Sequence, residues 1–162
     1  MPSVLFVCTG NVCRSPAAAA IFNHLLRRRR MTRGWHVGSA GTWARPGARL
    51  HPHVERALWE LGVGPVRHRA RPISPRLMAQ ADVILGVTHH HVEALRAEFP
   101  LHAERVHLFS AMAGHAFDIP DPVALTLEEV RHIVAEIESV VRAGFRHIVQ
   151  EATRQAARPR PL

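Results

Sequence analysis

Apolar positions recur along the chain at two spacings. Residues 3–7 form a short continuous apolar run, the form expected of a strand buried on both faces of a parallel sheet. Over residues 17–26 the period changes, with Ile21, Phe22, Leu25 and Leu26 at helical intervals among good helix formers. Arg27, Arg28, Arg29 and Arg30 follow, where cations meet the negative end of a helix dipole, and read as a solvated helix end. Residues 35–40 predict a second strand, and residues 41–52, rich in Gly, Pro and Arg, a loop. Residues 53–61 put Val54, Ala57, Leu58 and Leu61 on one face of a helix stopped by Gly62 and Gly64.

The second half repeats the alternation. Ser74 and Pro75 supply a helix cap and a first helical position, residues 82–87 a third buried strand, and residues 90–98 another helix. Residues 105–109 give a fourth strand. Residues 127–148 form a long closing helix with Val130, Ile133, Val134, Ile137, Val140 and Val141 on its apolar face. Strands alternating with helices predict an α/β fold with a parallel sheet. One domain is expected over residues 1–153, with residues 154–162 as a frayed basic tail.

Composition narrows the chemistry. A chain of 162 residues with 47% hydrophobic residues suits one domain with a real core. No apolar stretch approaches the roughly 20 residues that span a bilayer, and the N-terminal run lacks a basic start, so a cytoplasmic protein with no membrane partner is expected. The formal charge is +8, carried wholly by arginine, because the chain contains no lysine. That absence excludes a Walker-type nucleotide loop and Schiff-base chemistry, both of which need a lysine amine. An arginine-rich surface attracts anions without choosing among them. Part of the basicity fits codon bias, given the many Ala, Arg and Pro residues.

Both cysteines lie in one loop, Cys8-Thr9-Gly10-Asn11-Val12-Cys13-Arg14-Ser15, directly after the first strand and before the first helix. Ligands of parallel sheets bind beyond the carboxyl ends of the strands, often at this turn. Ser15 as helix cap and Pro16 at the first helical position would converge the loop N–H groups beside the positive helix end, making an anion cradle. A thiolate placed there is stabilised, which makes Cys8 a nucleophile. Arg14 brings the planar, two-pronged donor suited to phosphate oxygens, and Gly10 and Asn11 tolerate left-handed backbone.

Cysteine, five residues, then arginine and serine, here within Val4-Leu5-Phe6-Val7-Cys8 and its following loop, resembles the low-molecular-weight protein tyrosine phosphatase family. Further matching strings are Gly38-Ser39-Ala40-Gly41-Thr42, His68-Arg69-Ala70-Arg71, Ala81-Asp82-Val83-Ile84-Leu85 and Ile119-Pro120-Asp121-Pro122. The resemblance implies a four-stranded parallel sheet with helices on both faces, flavodoxin-like in its three layers. It also implies a metal-independent, cofactor-free phosphatase that acts on a phosphorylated protein and accepts phosphate or similar oxyanions in the loop. Cys8 would carry the phosphoryl group, Arg14 and the loop amides would hold its equatorial oxygens, and Asp121 would serve as acid and then base. Asp118 is a weaker candidate for that role. By the same resemblance Ser15 donates to the Cys8 sulfur, Asn11 holds the loop in shape with Ser39 and His68 in support, and Cys13 pairs with an oxidised Cys8 in a reversible disulfide.

Substrate preference rests on less. Aromatic residues usually follow the Asp-Pro pair in tyrosine-specific members, whereas here Val123, Ala124 and Leu125 follow, and the chain contains no tyrosine. Trp43 is the candidate for one pocket wall. Related arginine phosphatases commonly carry threonine where this chain has Val12, which favours phosphotyrosine and leaves phosphoarginine as the alternative. A small-thiol-dependent arsenate reductase, and a non-catalytic phosphate or nucleic-acid binding protein, are the remaining readings. No nucleic-acid motif accompanies the charge, which argues against a nucleic-acid partner. Three consecutive residues on a helix point in different directions, so His89, His90 and His91 make a poor metal set, and His51 and His53 lack a carboxylate or thiol partner nearby in sequence.

Overall fold

The computed structural model describes residues 1–122 and 124–159. Strand β1 (Ser3–Cys8) sets the architecture, because its side chains alternate between two cores. Val4, Phe6 and Cys8 join the larger core, and Leu5 and Val7 the smaller one on the opposite face. Around β1 lie β2 (His36–Gly41), β3 (Val83–Gly86) and β4 (Val106–Leu108), all parallel, in the order β2-β1-β3-β4.

Helices cover both faces. Helices α1 (Arg14–Arg28), α2 (Pro52–Glu60) and α5 (Leu127–Ala156) build the larger core, through Ile21, Phe22, Leu58, Ile137 and Phe145 among others. Helices α3 (Pro75–Gln80) and α4 (His89–Glu98) bury Met78, Val92 and Leu95 on the other side. The expected three-layer α/β fold is therefore observed. Ser74 caps α3 through the Leu77 N–H, as expected from the Ser-Pro start. Arg27, Arg28, Arg29 and Arg30 are exposed at the end of α1, and Arg29 also lies over the Phe145 ring, 4.1 Å from its centroid.

Two helix boundaries depart from the sequence reading for a visible reason. Helix α1 starts at Arg14, with Cys13 at the cap position and no capping side chain, so Ser15 lies inside the first turn and does not cap it. The reason is that the Ser15 hydroxyl is engaged by the loop, as described below. Helix α5 continues through Arg154 to Ala156, because Ala152 and Gln155 remain buried and Arg154 pairs with Glu151. The helical part therefore passes the expected start of the tail at 154, and residues 160–162 lie outside the described residues. Two 3-10 segments, Pro100–Arg105 and Phe109–Ala113, flank β4 and carry no periodic signal long enough to read.

The strand order places a functional position before any side chain is considered. The chain leaves β1 toward β2 on one side and returns to β3 on the other, so the crevice beyond the β1 carboxyl end is the topological switch point. Residues 9–13 occupy that crevice.

Candidate active site

The end of β1 delivers Cys8 to the loop floor. Its Sγ lies 2.9 Å from Ser15 Oγ and receives the Asn11 N–H at 3.3 Å. The first turn of α1 has neither an acidic residue nor a side-chain cap. A helix start whose N–H groups have no such partner leaves those donors free to meet an anion.

Asn11 makes the loop rigid. It holds φ of 56°, a left-handed conformation that Asn tolerates better than most residues. Every polar atom of its side chain is used: Nδ2 donates to Ser15 Oγ and to Ser39 Oγ, both at 2.9 Å, and Oδ1 accepts the Arg71 N–H at 3.0 Å. Its carbonyl accepts from His68 Nε2 at 2.6 Å, so that nitrogen carries the proton. Burial lowers the pKa of His68, and the neutral ring with a proton on Nε2 satisfies the contact. Ser15 Oγ accepts from Asn11, which leaves its one hydrogen for Cys8 Sγ or for the Ala40 carbonyl, the latter more distant at 3.4 Å.

Arg14 is buried, and its Nη1 donates to the Ile119 carbonyl at 3.0 Å. Its Nη2 lies 3.5 Å from Asp121 Oδ1, while the Asp121 side chain stays 72% exposed. Asp121 thus stands at the mouth of the loop between the guanidinium and solvent. Asp118, the weaker candidate, is engaged elsewhere: its Oδ1 accepts the N–H and Nδ1 of His89, each at 2.7 Å, at the start of α4. Chiefly the backbone N–H of His89 lowers its pKa and keeps it ionised, which ill suits an acid. Cys13 is buried, and desolvation with the neighbouring Cys8 raises its thiol to about 12. The Trp43 side chain is exposed, the residue as a whole 85%, which leaves no core-packing role, and its backbone N–H donates to the Thr9 carbonyl at 2.9 Å. Val12 is partly exposed, with its carbonyl accepting the His51 N–H at 3.0 Å.

Comparison with known proteins decides the family. The pattern described as low molecular weight phosphotyrosine protein phosphatase matches residues 3–155. The chain belongs to this family. It is 32% identical over 140 residues to a protein-arginine-phosphatase of Bacillus subtilis, spanning 86% of this chain and 91% of the relative. It is also 32% identical over 153 residues to low molecular weight protein-tyrosine phosphatase A of Mycobacterium bovis, covering 85% and 86%. The crystal structure of a low molecular weight protein tyrosine phosphatase from T. tengcongensis superposes with a TM-score of 0.84 at 28% identity, covering 91% of this chain and 99% of that one. The YwlE arginine phosphatase from Geobacillus stearothermophilus gives 0.81 at 27% identity, with both chains fully covered.

The structure also adds residues that sequence reasoning missed. His91, read only as part of a poor metal set, is 3% exposed and bridges two hydroxyls: Nε2 meets Thr9 Oγ1 and Nδ1 meets Thr88 Oγ1, each at 2.8 Å. Burial, reinforced by Arg14, lowers it to about 4, so the ring is neutral at pH 7. Gly41 is the second. A Cβ there would overlap the Thr9 carbonyl oxygen and lie 2.9 Å from Ala44 Cβ, so the loop can pass only over a bare Cα. Its place in the Gly38-to-Thr42 string was the available signal, although nothing in the string says what approaches it.

Proposed function

We propose that this chain hydrolyses phosphotyrosine in proteins through a cysteinyl-phosphate intermediate. The observation that carries the reading is the convergence on Cys8 Sγ of Ser15 Oγ and the Asn11 N–H, beside a buried Arg14 that leans toward Asp121. Cys8 sulfur attacks phosphorus as the phosphorus–oxygen bond to the substrate breaks, and Asp121 gives its proton to the departing oxygen. Asp121, now a carboxylate, takes a proton from water as that water attacks the thiophosphate. Cys8 then leaves as a thiolate that the Ser15 hydroxyl stabilises. The guanidinium has five N–H donors, and those not spent on Ile119 and Asp121 serve the equatorial oxygens together with the loop amides. Asn11, Ser39 and His68 keep the loop in that shape. Cys13 is the reserve thiol: condensing with a Cys8 sulfenic acid, it forms a disulfide and releases water.

Val12 and the exposed side chain of Trp43, whose backbone N–H meets the Thr9 carbonyl, support an aromatic substrate, Val12 because it offers no hydroxyl to a guanidinium. Phosphoarginine is the second reading, because the Bacillus subtilis relative described as a protein-arginine-phosphatase is as similar as the mycobacterial tyrosine phosphatase. The test is phosphate release from phosphotyrosine and phosphoarginine peptides side by side, with wild type and Cys8→Ser. Turnover of phosphotyrosine that vanishes in the variant is expected. Preferential turnover of phosphoarginine would overturn the substrate assignment and keep the mechanism, and hydrolysis of neither would overturn both.

A further inference from the structure

Val12 faces more than the phosphate loop. It also lines a cleft of ≈ 930 Å³ whose walls include Arg49, His51, Glu55, Arg67 and Arg69. Two segments build the basic side of this cleft. Residues 66–71 run extended with a period of two: Val66 and His68 are half-buried and Ala70 is buried, while Arg67, Arg69 and Arg71 are exposed. The facing segment is joined to it by the Gly47 N–H to the Ala70 carbonyl and the Ala70 N–H to the Ala48 carbonyl, both at 2.8 Å.

That pairing sets Arg49 opposite Arg69 in an antiparallel bridge. Like charges placed directly opposite are unfavourable, and ordinarily a nearby carboxylate offsets them. Here none does: among the described residues neither Arg49, Arg67 nor Arg69 forms an ion pair, and Glu55 is the single carboxylate among the residues lining the cleft. Several arginines of α2 and α5, by contrast, are partnered: Arg56 and Arg131 by Glu60, Arg142 by Glu138 and Arg154 by Glu151. Both basic segments are also tied to the loop itself, through the His51 N–H to the Val12 carbonyl and His68 Nε2 to the Asn11 carbonyl. An anion held in the cleft is therefore fixed in position relative to a phosphoryl group on Cys8.

We propose that the cleft is a docking subsite for acidic residues flanking the phosphorylated side chain, with a substrate carboxylate seated between Arg49 and Arg69. The inference rests on the phosphatase reading and narrows its substrates to phosphoproteins with acidic sequence a few residues from the phosphorylated position. A peptide is favoured over a nucleic acid because the cleft opens from the loop that receives the phosphorylated residue.

The experiment compares two phosphopeptides differing only in flanking Glu or Gln, with para-nitrophenyl phosphate as a substrate that has no flanks. Wild type is expected to favour the Glu peptide in kcat/KM by about five-fold, the scale of two exposed charge pairs, with the preference eroded by salt. The double variant Arg49→Gln/Arg69→Gln should abolish the preference and leave para-nitrophenyl phosphate turnover unchanged, which also shows that it folds. Arg49→Lys/Arg69→Lys should retain it. No preference in wild type, a preference that survives the Gln variant, or an oligonucleotide of equal charge competing better than the Glu peptide would each overturn the proposal. If para-nitrophenyl phosphate is not hydrolysed, the phosphatase reading falls, and affinities of the two peptides for Cys8→Ser protein still decide the subsite by the same five-fold criterion.

Discussion

Replacing Asp121 with Asn separates the proton carrier from everything else in the site, because it keeps side-chain size and removes only the ionisable oxygen. Asp121 Oδ1 is 3.5 Å from Arg14 Nη2 and its side chain is 72% exposed, so it can exchange protons with bulk water between half-reactions. A positioned acid contributes about 10²- to 10⁴-fold in rate, or about 3–5 kcal/mol. In the first half-reaction that contribution matters only where the leaving oxygen needs the proton. A tyrosine phenolate, whose conjugate acid has a pKa of about 10, needs it, and a resonance-stabilised nitrophenolate does not. A second effect has the opposite sign. The carboxylate is a counter-charge to Arg14 worth about 1 kcal/mol at this distance in water, and its exposure keeps the value at that end. Asp121→Asn should therefore lower kcat/KM, which reports only the half-reaction up to leaving-group departure, by about 10²- to 10³-fold on phosphotyrosine peptide and by less than about ten-fold on para-nitrophenyl phosphate. Competitive inhibition by inorganic phosphate should tighten, by at most about five-fold. Steady-state kinetics on both substrates with phosphate as inhibitor measures all three quantities. Equal losses of kcat/KM on the two substrates would refute Asp121 as the acid.

What the sequence could show follows the range of the forces involved. The loop was legible because its parts are contiguous: an apolar run, a cysteine, residues that tolerate left-handed backbone, and a helix start within residues 3–16. The layers were legible for the same local reason, since period-2 and helical spacing report which faces must be covered. Contacts that cross the sheet were not legible. Thr9 and His91 are 82 residues apart and meet only because β1 and β3 are adjacent, which brings the start of α4 over the loop. Asp118 resembled a spare catalytic carboxylate until its contact with the start of α4 gave it a partner 29 residues away. Ser15 was misplaced as a cap because capping preference is a local statistic, and here a buried sulfur and the Asn11 amide compete for the same hydroxyl. Local structure was thus readable from contiguous residues, and the supporting shell depended on strand order.

Two further expectations follow from that supporting shell. Gly41→Ala places a methyl against the Thr9 carbonyl and must displace the loop or the end of β2; kcat/KM should fall by about 10- to 100-fold on any substrate, and wild-type kinetics would show that the close approach carries no weight. His91 predicts an acid limit on folding. Its pKa is about 4 in the folded protein against 6.5 for the free side chain, so between these values the unfolded chain binds the extra proton. Stability from this group is fully present above pH 6.5 and is lost as pH falls to about 4, by up to ~3 kcal/mol. His68 and His107, also lowered by burial, add in the same direction, whereas Glu60 and Glu151, each lowered to about 2, lose their contributions at more acid pH. Denaturant unfolding of wild type and His91→Asn between pH 4 and 8 separates these contributions. The variant should lose stability less steeply from pH 6.5 to 4, and an unchanged slope would mean that the ring bridging Thr9 and Thr88 is not the group that resists protonation.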